Sequence, residues 1–309
     1  MQIFLTIDEV PADFGPTVVS VGNFDGVHRA HQNVLTTLVR RAKELGARSL
    51  VVTFDPHPTR VLRPDRAPKL ITPLARKLEL VSSFGVDAIL VLPFTKDFSI
   101  TPPKQFAEML GTRLHAKEVH EGFNFHFGHK AEGNLSKLTE LGKNVGFTVI
   151  SYPELRLRRE RVSSSRIREL IQQGDVSRAR ALLGRAFSVT AAPAQGRGYG
   201  RQYTVPTINL SAYYELVPAN GVYITRTRIG NETFESVTNV GNRPTFGADS
   251  FAIESHLLDF HPIDLTEQTR IETCFLLRLR DEVKFPSVEA LRAQIGKDVA
   301  RAQRYFRLL

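Results

Sequence analysis

Along the first 185 residues, short apolar runs alternate with amphipathic stretches. TVVSVG (17–22) reads as a buried strand. In QNVLTTLVRRAKELG, which follows, Val34, Leu35, Leu38, Val39, Ala42 and Leu45 recur at helical spacing and Gly46 marks the stop. The theme repeats: SLVVTF (strand), PLARKLELVSSFG (helix), VDAILVLPF (strand), PPKQFAEMLGTRL (helix), KEVHEGFNF (strand), NLSKLTELGKNVG (helix) and FTVISYP (strand). Strands alternating with helices of this length predict an α/β domain with a parallel sheet and right-handed crossovers. Ligands in such sheets collect at the carboxyl ends of the strands.

The pattern changes near Arg185. Two helical stretches, SSSRIRELIQQG and VSRARALLG, close the first half. FSVTAAPAQ, GVYITRTRIG, ETFESVTNVG, FAIESHLLDF and RIETCFLLRLR then follow, all strand-like and separated by Gly, Pro and Asn turns. They predict a small antiparallel β domain, a barrel. A final helix, SVEALRAQIGKDVARAQRYF, is expected to carry Val288, Leu291, Ile295, Val299 and Ala302 on one apolar face. The division is therefore 1–185 and 186–309. No internal repeat or low-complexity segment interrupts it.

Composition narrows the setting. At 42% hydrophobic and 24% charged residues the chain reads as globular, and no run of about 18 apolar residues suggests a membrane span. Asp8, Glu9 and Asp13 stand where a signal peptide would need a basic and then apolar start. A single cysteine, Cys274, excludes an intramolecular disulfide, fits a reducing cytoplasm and sits in a strand pattern as a structural residue. The net charge of +9 favours anionic partners. RLRRERVSSSRIR is densely basic, but no aromatic-interleaved run, zinc-finger spacing or RNA-recognition signature accompanies it. Small phosphorylated substrates account for the charge as well as nucleic acid does.

The densest chemistry lies in VGNFDGVHRAHQ (21–32), at the carboxyl end of the first buried strand. Gly26 would let the chain turn from strand to helix, and the helix N-terminus offers N–H groups and positive dipole to phosphate. His28 and His31, three residues apart, would share a helix face and could donate to phosphate oxygens. A metal site with Asp25 as third ligand and a purely structural cap remain open readings. VSSSRIREL repeats the anion-binding pattern, with hydroxyls and arginines at a helix start; an ordinary serine cap is its plain alternative.

In the second half, QGRGYGRQYTVPTINL carries Gly196, Gly198 and Gly200, whose accessible N–H groups suit phosphate. Thr207 and Asn209, if extended, point two oxygens to one side, a plausible magnesium seat together with nucleotide phosphates. Glu254, in FAIESHLLDF, is the candidate carboxylate for orienting or deprotonating an alcohol. A flexible glycine linker and a solvated glutamate are the bland reading. No G-x-x-x-x-G-K-[ST] occurs, so a P-loop is absent.

In order and spacing, GNFDGVHRAHQ, FDPHP (54–58), EGFNFHFGHKAEGN and VSSSRIREL resemble the adenylyltransferase half of bacterial bifunctional riboflavin kinase/FMN adenylyltransferases, the prokaryotic-type FAD synthetases. PTIN, GVY, NVGNRPTF and ESHLLDF, followed by LRLRDEVKFPSVEALRAQIGKD, resemble the riboflavin kinase module of the same family. The resemblance implies a Rossmann-like nucleotidyltransferase domain (1–185) and a β-barrel kinase domain with a closing helix (186–309). It implies that Gly22, Phe24, His28 and His31 border ATP phosphates, with the two histidines acting in adenylyl transfer; Gly26, from its place in the turn, is a further phosphate-binding candidate. Asn124 would lie in the flavin/ATP site, and Ser164, Ser165 and Arg168 would hold the triphosphate. Thr207 and Asn209 would bind Mg-ATP and Glu254 would act as base. Substrates would be riboflavin, FMN and ATP with Mg²⁺, and FAD the product, with no nucleic acid or membrane partner. The chain departs from the family pattern at Ala30, inside the H-x-G-H motif, and at Ala192, Thr204 and Ile208 around the kinase loop. The expectation is a bifunctional enzyme making FMN and then FAD. Its alternatives are an enzyme with only the adenylyltransferase active and, more remotely, a basic nucleotide- or RNA-binding regulator.

Overall fold

The computed structural model describes residues 1–194, 207–211, 213, 215–242, 251–261, 263, 266 and 268–309. Gly196, Gly198, Gly200 and Thr204 lie outside the described residues. The chain divides into two compact units, Met1–Ser164 and Ser165–Leu309.

In the first unit, β1 (Gln2–Phe4), β2 (Thr17–Val21), β3 (Arg48–Asp55), β4 (Ala88–Pro93), β5 (Ala116–Gly122) and β8 (Thr148–Tyr152) form one sheet in the order β1-β4-β3-β2-β5-β8. All its pairings are parallel. Two short hairpins, β6 (His126–Phe127) with β7 (Gly133–Asn134) and β9 (Arg156–Leu157) with β10 (Glu160–Arg161), stand outside it. The helices are α1 (Arg29–Glu44), α2 (Pro58–Leu62), α3 (Leu74–Ser82), α4 (Lys96–Ser99), α5 (Pro103–Glu108) and α6 (Leu135–Val145). Strand alternation builds a core on each face: Leu50, Val52, Leu90 and Val119 gather with Leu110 and Leu138, whereas Val18, Val51 and Ile89 gather with Leu35, Leu38 and Val81. Burial on both sides explains why the strands read as unbroken apolar runs. From β2 the chain builds outward through β3 and β4, then returns to add β5 and β8 on the other side, so a topological switch point falls between β2 and β5.

A polar chain crosses the α1 face of this sheet. Arg41 on α1 pairs with Glu118 on β5, which bonds His120 Nε2 at 2.9 Å, and His120 Nδ1 meets the Tyr152 hydroxyl at 2.7 Å. Burial holds the His120 pKa below the usual imidazole value, and the hydrogen bond from Arg41 holds Glu118 below the usual carboxylate value. Both groups have depressed folded-state values, so the unfolded chain takes up their protons first as pH falls. Stability should therefore hold near pH 7.5, decline below about 6.5 as the unfolded histidine protonates, and decline further below about 4.5. Urea denaturation at pH 7.5 and 5.5 tests this: equal midpoints for the parent would refute it, and His120→Gln should reduce the difference.

In the second unit, α7 (Ser164–Gln172, its first residue ending the first unit) and α8 (Val176–Leu183) precede β11 (Phe187–Ala191), β12 (Thr207–Asn209), β13 (Gly221–Ile229), β14 (Glu232–Asn242), β15 (Phe251–Leu257), β16 (Ile271–Arg280) and α9 (Val288–Arg307). The antiparallel order is β11-β16-β13-β14-β15-β12. Its two edges meet beyond β11 and β12: Pro193 bridges Leu210, Ala194 N–H donates to Asn209 O at 2.8 Å, and Ser211 N–H donates to Ala192 O at 2.9 Å. The sheet is thus curled into the expected barrel. Gly230, at φ +57°, opens the two-residue turn between β13 and β14, the conformation a tight hairpin needs.

Hydroxyls fill much of the interior. Thr225, Thr227, Ser236, Thr238 and Ser255 are fully buried and linked at 2.6–2.9 Å. Each satisfies another, so the polar core carries little desolvation cost.

The closing helix differs from expectation. Val288, Leu291 and Ile295 are 53%, 40% and 39% exposed, whereas Asp298, Ala302 and Phe306 are buried. Arg280 Nε and Nη2 both donate to Asp298 Oδ2, at 3.0 and 2.8 Å. That fork turns the 298–302–306 stripe toward the sheet and leaves the N-terminal half of the apolar stripe outward.

Candidate active sites

The Val21–Gln32 segment leaves the carboxyl end of β2 as a strained turn. Phe24, Gly26 and Val27 have φ of +47°, +87° and +38°. Glycine tolerates this conformation, but a β-branched valine does not adopt it without support. Support is visible: Val27 N–H donates to Phe24 O at 3.1 Å and Gln32 Nε2 donates to Val27 O at 2.8 Å. Asp25 accepts from Ile71 N at 3.1 Å and from Thr72 N and Oγ1 at 2.9 and 3.1 Å, while Gly26 N–H donates to Thr72 Oγ1 at 2.9 Å. Both Asp25 oxygens thus serve the turn. No group of three or more His, Cys, Asp or Glu among the described residues is arranged to hold a metal ion.

His28 is the N-cap of α1 rather than a helical residue, with φ −74° and ψ 172°. Its Nδ1 accepts from His31 N–H at 3.4 Å, so its ring proton sits on Nε2. The two imidazoles stack at 3.6 Å between centroids with 15° between planes, and His31 lies 5.1 Å from the Phe24 ring. Phe24 is buried beneath them. Ala30 falls inside α1, where alanine costs nothing sterically. Gly22 donates its N–H to Val52 O, and Ser164 Oγ donates to Asp25 O at 2.8 Å. Ser165 and Arg168 follow on α7, Arg168 one turn on from Ser164. Asn124 sits exposed in the turn after β5, closed by Phe125 N–H to Gly122 O at 2.9 Å. The loops carrying Gly22 and Asn124 therefore flank the switch point.

Two residues of this region escaped sequence reasoning. Lys77 of α3 is buried and its Nζ donates to Thr53 Oγ1 at 2.9 Å, Asn23 O at 3.2 Å and Phe54 O at 3.4 Å. Burial lowers its pKa, opposed by the nearby Asp25 and Asp55 charges. A lysine within the apolar stripe Leu74, Leu78, Val81 was the available signal. Lys77→Met strands three acceptors and should cost about 2–4 kcal/mol of stability, read by urea denaturation; a loss below 0.5 kcal/mol, about the scatter of surface changes, would refute the tie. The other residue is Glu121, which follows Val119 on the same face of β5 and breaks that face's apolar run.

The second site is a sheet face. Thr207 pairs with His256 and Asn209 with Glu254 across β12 and β15, and Glu254 pairs with Asn239 of β14. Directly opposed residues share a face, so Thr207, Asn209, Glu254, His256 and Asn239 converge on one side. Ile208, Ser255 and Thr238 turn inward and are buried. His256 and Asn239 were not anticipated. Burial holds the His256 pKa below the usual imidazole value.

A parallel sheet with a histidine-bearing turn at its switch point, joined to a barrel with a Thr/Asn/Glu face, has the build of a two-module nucleotide-binding protein. Residues 10–166 match the FAD synthetase family and residues 183–306 match the riboflavin kinase family. A bifunctional riboflavin kinase/FMN adenylyltransferase of Pseudomonas fluorescens is 36% identical over 305 residues, covering 98% of this chain and 97% of the relative. Proteins of the same description from Bacillus subtilis and Escherichia coli K12 are 34% and 31% identical, covering 94% of this chain and 92% and 93% of theirs. The chain belongs to the bifunctional riboflavin kinase/FMN adenylyltransferase family. A crystal structure described as a macrolide-efflux protein from Streptococcus pneumoniae has a TM-score of 0.85 and 26% identity, covering 97% of this chain and 98% of that one. No helix among the described residues of the present chain is long and apolar enough to cross a membrane.

Proposed function

We propose that the protein makes both flavin cofactors: it phosphorylates riboflavin with ATP to give FMN, then adenylylates FMN with a second ATP to give FAD and pyrophosphate. The carrying observation is that matches to both modules run in order along one chain whose relatives cover nearly its full length. We assign adenylyl transfer to 1–185 and the kinase to 186–309; the FAD synthetase match ending at 166 and the kinase match starting at 183 support a junction within or after α7 and α8.

In adenylyl transfer the FMN phosphate is already an anion, so no base is required. One of its oxygens attacks the ATP α-phosphorus, the bond to the bridging oxygen breaks, and pyrophosphate departs with the electron pair. The enzyme's task is alignment and charge neutralisation. His28, donating through Nε2, and His31 are the proposed donors, over a phosphate seat formed by Gly22, Phe24, Gly26 and the start of α1. The Gly26 N–H is engaged by Thr72, so its contribution is the turn itself. Asn124 would meet flavin or ATP, and Ser164, Ser165 and Arg168 the triphosphate.

In the kinase step the riboflavin hydroxyl oxygen attacks the γ-phosphorus, its proton passes to Glu254, and ADP leaves. Thr207 and Asn209 supply two neutral oxygens beside Glu254, a donor set that fits a magnesium ion already carried by ATP phosphates and water. Magnesium, when bound, would screen the phosphate charge and polarise the phosphoryl oxygens. The glycines at 196, 198 and 200 are assigned to the phosphates from their residue type, since glycine leaves backbone N–H groups accessible. A single free cysteine supports a reducing, cytoplasmic setting. Incubating the purified chain with riboflavin, ATP and Mg²⁺ and separating the flavins by chromatography tests the proposal: FMN followed by FAD is expected, and neither flavin forming would end it. FMN supplied alone should give FAD; FAD from FMN without FMN from riboflavin would leave only the adenylyltransferase.

A further inference from the structure

The β2–β5 ladder stops short. Its last pairing is Val19 with Val119, although β2 runs on to Val21 and β5 to Gly122. In that gap the Val21 N–H donates instead to Glu121 Oε1, at 2.6 Å. Glu121 is 3% exposed, and this is its side chain's one hydrogen bond among the described residues. A side chain thus does there what a backbone carbonyl does elsewhere in the sheet. The strands part by its reach, at the switch point where α/β sheets admit ligands. Val21 leads directly into Gly22 and the strained turn; Glu121 leads into Gly122 and Asn124. One carboxyl ties the roots of both loops.

We propose that Glu121 is a positioning residue for adenylyl transfer, its carboxyl spacing the ends of β2 and β5 so that Gly22 and the Phe24–His28 turn are presented to the nucleotide phosphates. The inference rests on reading that turn as the ATP-phosphate seat. Its protonation state follows from its surroundings. On its face of the sheet lie Val19, Val21, Val52 and Val119, with apolar side chains of α5 and α6 over them. The groups titrating on β5 nearby, Glu118 and His120, point to the opposite face and bond Arg41 and Tyr152. Among the described residues no charged side chain is a cause of its shift, and burial pushes its carboxyl well above the usual range. In its protonated form, which burial favours, the acid sits under a polyanion site without repelling it. Its ionisation as pH rises would put a negative charge beneath the phosphates.

The test uses the full chain and compares Glu121→Gln, which keeps an acceptor for Val21 N–H, with Glu121→Leu, which removes it. Glutamine should leave the KM for ATP in FMN adenylylation within about twofold at pH 7, while leucine raises it about tenfold or more. Riboflavin phosphorylation should stay within about twofold in both. A folded Glu121→Leu protein with the parent's KM for ATP would overturn the proposal. Should Glu121→Leu fail to fold, the pH profile decides. The parent's KM for ATP is expected to rise with pH as Glu121 ionises and the Glu121→Gln value to stay flat; coincident profiles would overturn the inference. His28→Ala serves as the control. If that change leaves FAD formation intact, the reading of the seat has failed; if it abolishes FAD formation while Glu121→Leu is silent, only the positioning role has failed.

Discussion

Glu254→Gln is expected to lower the rate of riboflavin phosphorylation by about 10²–10⁴-fold, leaving FAD formation from supplied FMN within about twofold. A riboflavin hydroxyl becomes a nucleophile only as its proton leaves, and Glu254 is a carboxylate on the Thr207–Asn209 face placed to accept it. Glutamine keeps the size and a hydrogen-bonding oxygen but is no base, so substrate affinity should change little and the loss should fall on kcat. The substitution should also be mild for folding, since the buried neighbours Ile253 and Ser255 face inward and are untouched. The readout is a time course of FMN and FAD by chromatography from riboflavin and, separately, from FMN. If Glu254→Gln phosphorylates riboflavin at more than half the parent rate, the base assignment is wrong.

The converse experiment concerns His28. His28→Ala should reduce adenylylation of FMN by about 10²–10³-fold with riboflavin phosphorylation preserved. Alanine removes two things at once: an imidazole stacked on His31 and the cap acceptor for His31 N–H. Cap loss alone costs about 1 kcal/mol, too little to unfold a domain of this size but enough to blur interpretation. His28→Asn separates the effects. Asparagine is a good N-cap, so thermal stability should stay close to the parent's, while the ring that would donate to a phosphate oxygen is gone. Activity lost in both variants, with stability lost only in His28→Ala, assigns the imidazole to the chemistry. Full activity in His28→Asn would reduce the histidine to a cap.

Much of the layout was legible in the linear pattern. Val34, Leu35, Leu38 and Ala42, chosen by spacing, are the buried residues of α1. The run TVVSVG is buried throughout β2. Such elements are legible because their burial follows a fixed period. Elements held by single contacts were not. The edge strand β1 is three residues long with only Phe4 buried, too short for a period. The KEVHEGFNF segment ends as a strand at Gly122, three residues early, because Phe125 N–H bonds Gly122 O at 2.9 Å and closes a turn there. On α9 the C-terminal part of the expected stripe, Val299 and Ala302, meets the core beside the Arg280–Asp298 fork, whereas Val288, Leu291 and Ile295 stay exposed. A polar pair between distant elements leaves no periodic trace.

The same division runs through the sites. The residue types themselves, His28, His31, Thr207, Asn209 and Glu254, together with their strand or helix context, follow from local pattern and chemistry, because period and capping depend on neighbours a few positions away. That Asn209 stands opposite Glu254, that His28 caps α1 with Val27 strained before it, and that buried Lys77 and Glu121 bond Thr53 and Val21 are long-range facts. They were decided only when register, sheet order and burial brought together residues tens of positions apart, and solvent exclusion made each remaining polar group require a specific partner.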